Sequence, residues 1–169
     1  DDDILLSGLG TLGVMNFGGD DGADVFVNLS TITTLTFSGG ADDDLFVNHG
    51  TAATSLNFGG DDDQLVGLGA IGSLSFKGDS GLDELRNLGT IADLTFGGGA
   101  DDDLLANSGT ITASLNFGGD DGIDGLFNTG SIAALTVVGG ADDDILINNG
   151  PVSTTINFGG DDDVLTGLG

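Results

Sequence analysis

Aspartate is the residue that recurs in this chain at a spacing suited to chemistry. An Asp followed two residues later by Leu or Phe stands at Asp3, Asp24, Asp44, Asp63, Asp83, Asp103, Asp124, Asp144 and Asp163. The intervals run 21, 20, 19, 20, 20, 21, 20 and 19. Further acids lie within three residues of most of them, at Asp21, Asp43, Asp62, Asp102, Asp121, Asp143 and Asp162. Carboxylates in Gly-rich turns, which also present backbone carbonyls, suit a hard cation: Ca²⁺ takes about six to eight oxygens in flexible geometry. The alternative is that the Asp runs are solvated turns, since Asp is favoured wherever the chain bends tightly.

Other chemistries lack their residues. The chain has no Cys, one His (His49) and two basic side chains, Lys77 and Arg86, against 28 acids. No disulfide framework, thiolate metal site or multi-histidine cluster is available. A formal charge of -26 with two cations gives nothing to neutralise a nucleic-acid backbone. Among the carboxylates, only Asp93 and Glu84 leave the repeat, so no acid–base pair is set apart. His49 falls where Leu29, Leu68, Leu88, Ser108 and Thr129 stand in other units, which reads as a surface position. No enzyme is expected.

The elements that position the acids come from the period. Each unit reads roughly D-x-[LF]-x-N-x-G-T-I-x-x-L-x-F-x-G-G-x-D-D, clearest in DLFVNHGTAATSLNFGG from Asp44 and DLLANSGTITASLNFGG from Asp103. Such charge suggests disorder, yet 38% of residues are hydrophobic and they alternate strictly with the acidic turns. A 20-residue unit is too short for a helical pair or a propeller blade. It predicts an all-β parallel β-solenoid (β-helix) of eight coils, each stacked about 4.8 Å beyond the last, in a rod about 40 Å long. The whole chain, residues 1–169, is one such domain.

Three short strands are expected per coil: D-x-[LF]-x-N, T-I-x and L-x-F. Alternation turns Phe26, Phe46, Leu65, Leu85, Leu105, Leu126, Leu146 and Leu165 inward on the first strand. Ile32, Ile71, Ile91, Ile111, Ile132 and Val152 do the same on the second. On the third, Phe17, Phe37, Phe58, Phe76, Phe96, Phe117, Val137 and Phe158 form a Phe stack. Asn28, Asn48, Asn87, Asn107, Asn128 and Asn148 recur four residues after the key Asp, with Gly67 and Gly167 in the shorter coils. Stacked in register they predict an Asn ladder. Asn28-Leu29-Ser30 is also a glycosylation triplet, but recurrence at one register favours structure.

These residues carry two resemblances. NSGTITASLNFGG and GGADDDLFVNHGT resemble the GDD-x-F-x-N-x-GTI repeats of large bacterial surface adhesins, notably autotransporter-like passenger domains, over nearly the whole chain. The turns are similar to the calcium-binding nonapeptide of RTX proteins, G-G-x-G-x-D-x-U-x. Gly39 to Val47 (GGADDDLFV) and Gly139 to Ile147 (GGADDDILI) match except at the fourth-position Gly, which Asp21 to Val27, Ser80 to Arg86 and Asp121 to Phe127 keep. The RTX resemblance implies a Ca²⁺-ligand role for the key Asp of consecutive turns. The period departs from the 18-residue RTX coil, and one acidic turn per coil replaces two.

Stacking also places like charges about 5 Å apart, where two unit charges repel by roughly 1 kcal/mol in water and more at a partly screened surface. A ladder of divalent cations would reverse that. On the outer side of the first strand two rows are largely apolar, including Val25, Leu45, Leu104, Ile145 and Val164 in one and Val27, Val47, Val66, Phe127 and Ile147 in the other. A continuous exposed apolar stripe marks an interaction surface, read here as self-association. Glu84 and Arg86 interrupt it in one coil. On the second strand Thr11, Thr31, Thr51, Thr90 and Thr110 with small neighbours make a flat face.

The expected function is therefore an extracellular, non-enzymatic structural or adhesive module of a bacterial cell surface. It would be a calcium-stabilised rod that associates with itself laterally or end to end into a filament or layer. A carbohydrate- or ice-binding solenoid acting through the Thr/Ala face is the alternative, with a surface glycan as its partner, and a polysaccharide-degrading β-helix is the third reading. No nucleic acid and no membrane insertion are expected. The near-repetition of DDDILLSGLG in DDDVLTGLG at 161–169 suggests a segment of a longer array or a head-to-tail stacking unit.

Overall fold

A computed structural model describes residues 1–167 and shows an all-β parallel solenoid. Each coil contributes one short strand and one long one, and the two kinds stack as separate parallel sheets. The short sheet has nine strands: Ile4–Ser7, Val25–Asn28, Leu45–Asn48, Gln64–Gly67, Glu84–Asn87, Leu104–Asn107, Gly125–Asn128, Ile145–Asn148 and Val164–Thr166. The long sheet runs from Thr11–Asp21 through Thr31–Ala41, Thr51–Gly59, Ala70–Ser80, Thr90–Ala100 and Thr110–Asp121 to Ser153–Gly159. Parallel pairing follows from the repeat, because each strand meets its own copy about 20 residues later and the connection closes a full coil.

The second and third expected strands run on as one strand in most coils. They stay separate in one coil, as Ser131–Ile132 and Ala134–Ala141. The corner between them survives as a shift in pairing register, between Ile32 and Leu35 and again between Ile91 and Asp93. Variation in coil length is absorbed there. Ile32 pairs Ala52 but Leu35 pairs Thr54, which loses one residue; Ile91 pairs Ile111 but Asp93 pairs Ser114, which gains one. A β-bulge can take up a residue because it bends the strand without moving the flanking ladders.

Between the sheets lies the core, built from the predicted rows. Phe26, Phe46, Leu65, Leu85, Leu105, Leu126 and Leu146 face Ile32, Ile71, Ile91, Ile111 and Ile132, all buried. The Phe rings stack at 5.4 Å for Phe17–Phe37, 5.0 Å for Phe37–Phe58, 4.9 Å for Phe58–Phe76, 5.0 Å for Phe76–Phe96 and 5.3 Å for Phe96–Phe117. Phe58 joins this stack from an offset position. In backbone register it is Leu56 that pairs Phe37 and Phe76, and Phe58 stands two residues further on. Its ring leans back into the column, tilted 51° and 38° to its neighbours.

The Asn ladder forms as expected. Asn28 Nδ2 donates to Asn48 Oδ1 at 2.7 Å, Asn87 to Asn107 at 2.7 Å, and Asn107 to Asn128 at 2.7 Å. Gly67 interrupts it, and Asn48 Nδ2 turns to the Gly50 carbonyl at 3.3 Å. Two residues after the ladder position stands Ser30 in one coil and Gly in the next six, and that Gly is required by proximity. A Cβ on Gly50, Gly69, Gly89, Gly109, Gly130 or Gly150 would overlap a backbone carbonyl of the preceding coil.

Candidate functional site: the acidic edge and the apolar sheet face

The acidic edge is first a backbone solution. Every coil passes through two positive-φ positions between its long strand and the next short one, and gives one to Asp and the other to Gly. Asp20 (φ 74°) and Gly22 (φ 114°) serve the first coil, and Gly40 (φ 130°) and Asp42 (φ 72°) the second. The order continues to vary along the rod, with Asp61, Asp79, Asp101, Asp120, Asp142 and Asp161 holding φ between 69° and 80°. Asp tolerates the left-handed region because its short carboxylate bonds locally, whereas a longer side chain gains nothing there. This explains why the turns use Asp and never Glu.

The key Asp of each coil points inward. Asp24, Asp44, Asp63, Asp83, Asp103, Asp124 and Asp144 are at most 3% exposed. Each Oδ1 accepts the backbone N–H of the equivalent Asp one coil earlier. Asp3 N–H donates to Asp24, Asp24 to Asp44 at 2.8 Å, Asp44 to Asp63 at 2.7 Å, Asp63 to Asp83 at 3.0 Å and Asp83 to Asp103 at 2.8 Å. Asp103 continues to Asp124 at 2.8 Å, Asp124 to Asp144 at 3.0 Å and Asp144 to Asp163 at 3.0 Å. These carboxylates thus cap turn donors that no strand pairing reaches.

The other carboxylate oxygen is left alone. Oδ2 of Asp24, Asp44, Asp63, Asp83, Asp103, Asp124 and Asp144 is buried and makes no hydrogen bond. In six of the seven it lies against a glycine of the turn, since a Cβ on Gly19, Gly39, Gly78, Gly98, Gly119 or Gly139 would overlap it; before Asp63 that place in the register is held by Phe58. The Gly-Gly pair of the repeat therefore makes room for a carboxyl group. Burial, opposed by the N–H donor and reinforced by neighbouring carboxylates, lifts Asp44 to about 6 and Asp63, Asp103 and Asp124 to about 7. Burial and then the Asp103 charge lift Asp83 to about 8, and burial raises Asp144 as well. A protonated Oδ2 needs less solvation than a charged one.

The additional acids named in the sequence fall into two places. Asp21 and Asp121 end long strands in register with Ala41 and Ala100. Asp43, Asp62, Asp102, Asp143 and Asp162 stand just before the inner column and face solvent. Four of these carboxylates accept N–H groups from the following coil: Asp43 from Asp62 at 3.1 Å, Asp62 from Leu82 at 2.9 Å, Asp102 from Ile123 at 2.8 Å and Asp143 from Asp162 at 2.9 Å. The outer ladder thus runs opposite to the inner one. A polar recess of about 350 Å³ opens among Asp2, Gly22, Ala23, Asp42, Asp43 and Asp61.

These residues fit a hard cation in part. The inner Oδ2 atoms and the exposed carboxylates are oxygen donors beside backbone carbonyls. Among the described residues, however, no three acidic side chains converge on one point. A cation here would draw on one or two carboxylates and otherwise on carbonyls and water.

The two outer sheet faces differ sharply. The long sheet presents Asn16, Thr36, Ser55, Thr95, Asn116 and Thr136 outward, together with Lys77 and Asp93. The short sheet presents the predicted apolar rows, with Val25, Val27, Leu45, Val47, Val66, Leu104, Ile145 and Ile147 half-buried among themselves and Phe127 and Val164 exposed. Alternation carries this face beyond the strand, where sequence reasoning had not extended it, to Leu29, Leu68, Leu82, Leu88 and Ile123. Within the strands its charged side chains are Glu84, which accepts from Gln64 Nε2 at 2.7 Å, and Arg86, paired to Glu84. The row of Leu82 and Ile123 holds Asp43, Asp62, Asp102, Asp143 and Asp162 in other coils. Thr110, Thr112, Ser131, Ala133 and Pro151 line an open groove of about 580 Å³ on the Thr-bearing corner of the long sheet.

No family model matches this chain, and comparison with curated proteins and with solved structures likewise yields no match. No helix of the described residues is long and apolar enough to cross a membrane.

Proposed function

We propose that the chain is a non-enzymatic structural module, a stiff rod whose apolar sheet face drives self-association into a filament or layer outside a bacterial cell. The observation that carries this reading is the contrast between the two sheets. One outer face is mostly polar, while the other keeps two largely apolar rows along nine strands, broken at Gln64, Glu84 and Arg86. Exposed apolar area on that scale is uncommon on a monomer. The inner carboxylates, buried and repeated from coil to coil, serve the backbone.

Calcium belongs to this proposal as countercharge for the acidic edge. Its support is the run of exposed Asp that recurs in successive turns along that edge. Sedimentation and circular dichroism of the full chain, with Ca²⁺ and with chelator, test both parts. The expected result is association and a higher melting temperature in Ca²⁺. A chain that stays monomeric at all accessible concentrations fails the self-association reading, and melting unaffected by Ca²⁺ fails the calcium reading. The groove along Thr110, Ser131 and Pro151 supports a second reading, glycan binding, which glycan-array screening addresses.

A further inference from the structure

Glu84 and Arg86 lie on one strand, Glu84–Asn87, with four strands of the short sheet described on either side of it. The four outward residues of that coil, Leu82, Glu84, Arg86 and Leu88, read apolar, acid, base, apolar. Leu82 and Leu88 are 54% and 53% exposed, although strand alternation places both on the same side as the charged pair. Leu88 and Arg86 line one shallow recess. This order is self-complementary about its centre, Leu85, when two copies of the strand run antiparallel.

We propose that a second copy of this chain docks short sheet on short sheet, about a two-fold axis parallel to the rod. The proposal rests on the self-association reading and specifies its geometry. A face-to-face pair has two simple in-plane axes. An axis along the rod keeps the rods parallel, sets each coil against the same coil and reverses the strands. Glu84 then meets Arg86 of the second copy, Arg86 meets Glu84, and Leu82 meets Leu88 on both sides. In the coil of Phe46 the same operation sets exposed Asp43 against His49, the only His in the chain.

The other axis, along the strands, is disfavoured by charge. It would bring Glu84 against Glu84 and Arg86 against Arg86. It would also lay the acidic edges of both copies along one side, in a chain of formal charge -26. The rod-parallel axis puts those edges on opposite sides of the pair, where repulsion is weakest. The face is large enough. Nine strands at about 4.8 Å and a width of roughly 15 Å bury about 1,300 Å² over both copies, at the lower end of the range for a specific interface. A charged pair within an apolar face selects register, because a slip of one coil sets Glu84 against Val66 or Ala106 and Arg86 against Gln64 or Leu104, with no opposite charge for either.

The test uses the full chain. Arg86→Glu and Glu84→Arg should each weaken association at least about tenfold by sedimentation, and the double exchange should restore it. Circular dichroism of each variant separates loss of the pair from loss of the fold. Because the chain has no Cys, Leu82→Cys and Leu88→Cys provide an independent readout. Each alone should resist oxidative cross-linking, and an equimolar mixture should cross-link. Cross-linking of Leu82→Cys with itself, no cross-linking of the mixture, or no rescue by the double exchange overturns this geometry while leaving self-association standing. A chain that remains monomeric overturns both.

Discussion

The backbone N–H of Asp63 donates to Oδ1 of Asp83 at 3.0 Å, and Oδ2 of the same carboxylate meets no partner at all. This half-satisfied group is the central link of a ladder that runs the length of the rod. It makes the acidity of the chain a property of its interior as well as its surface.

Stability should therefore fall as pH rises. The folded-state values of Asp44, Asp63, Asp83, Asp103 and Asp124, about 6 to 8, lie above the ordinary 3.8. Between about pH 4 and these values the folded chain holds more protons than the unfolded one, so unfolding becomes easier with each unit of pH. Denaturant melts in chelator should give a higher midpoint at pH 5 than at pH 8.5. A midpoint that rises over that range would contradict the neutral inner column.

Replacing the central acid by its amide tests the same point at one residue. Asp83→Asn keeps an acceptor for the Asp63 N–H and removes the buried charge. It should stabilise the rod at pH 8.5 and change little at pH 5, measured by the same melts. Asp83→Ala, which leaves the Asp63 N–H buried without a partner, should cost about 1–3 kcal/mol at pH 5.

The interrupted Asn ladder offers a gain. A Cβ on Gly67 meets only ordinary contacts, 3.7 Å from Asn87 Oδ1 and 3.8 Å from the Arg86 carbonyl and Leu65 Cδ2. Gly67→Asn should bridge Asn48 and Asn87 and add about 0.5–1.5 kcal/mol, read as a raised melting temperature. Asn107→Ala, which breaks two links at once, should lose about 1–3 kcal/mol.

The glycines packed against the inner carboxylates should tolerate nothing larger. Gly78→Ala places a methyl group on Asp83 Oδ2. Because a packed interior cannot yield that space cheaply, the variant should lose more than about 2 kcal/mol. Gly97→Ala is the control, since its Cβ would reach no atom closer than the Phe76 carbonyl at 3.9 Å. Its melting curve should stay close to that of the parent chain.

Much of this was legible in the order of residues. Phe26, Asn28 and their copies announce inward rows because one side of a strand repeats every second residue. The same rule places Asp24 on that side, two residues before Phe26, yet its charge argued for water and for a cation. What it could not show is that the turn supplies an unpaired N–H from Asp3 and a glycine, Gly19, whose missing Cβ admits the carboxylate. Phe58 is a second case: its spacing from Asp63 differs from that of Phe37 to Asp44, and only the ring contacts reveal that it still enters the Phe stack.

A period of about 20 residues and a strict alternation of apolar and polar positions determined, by themselves, a parallel solenoid with an acidic edge, a Phe core and one apolar outer face. Those properties depend on local chain geometry, which repeats with the residues. Burial of the Asp column, opposite senses of the inner and outer carboxylate ladders and merger of two strands into one were decided only when the coils stacked. Each depends on which backbone group of one coil lies against which side chain of the next, and that is a relation between residues some 20 positions apart.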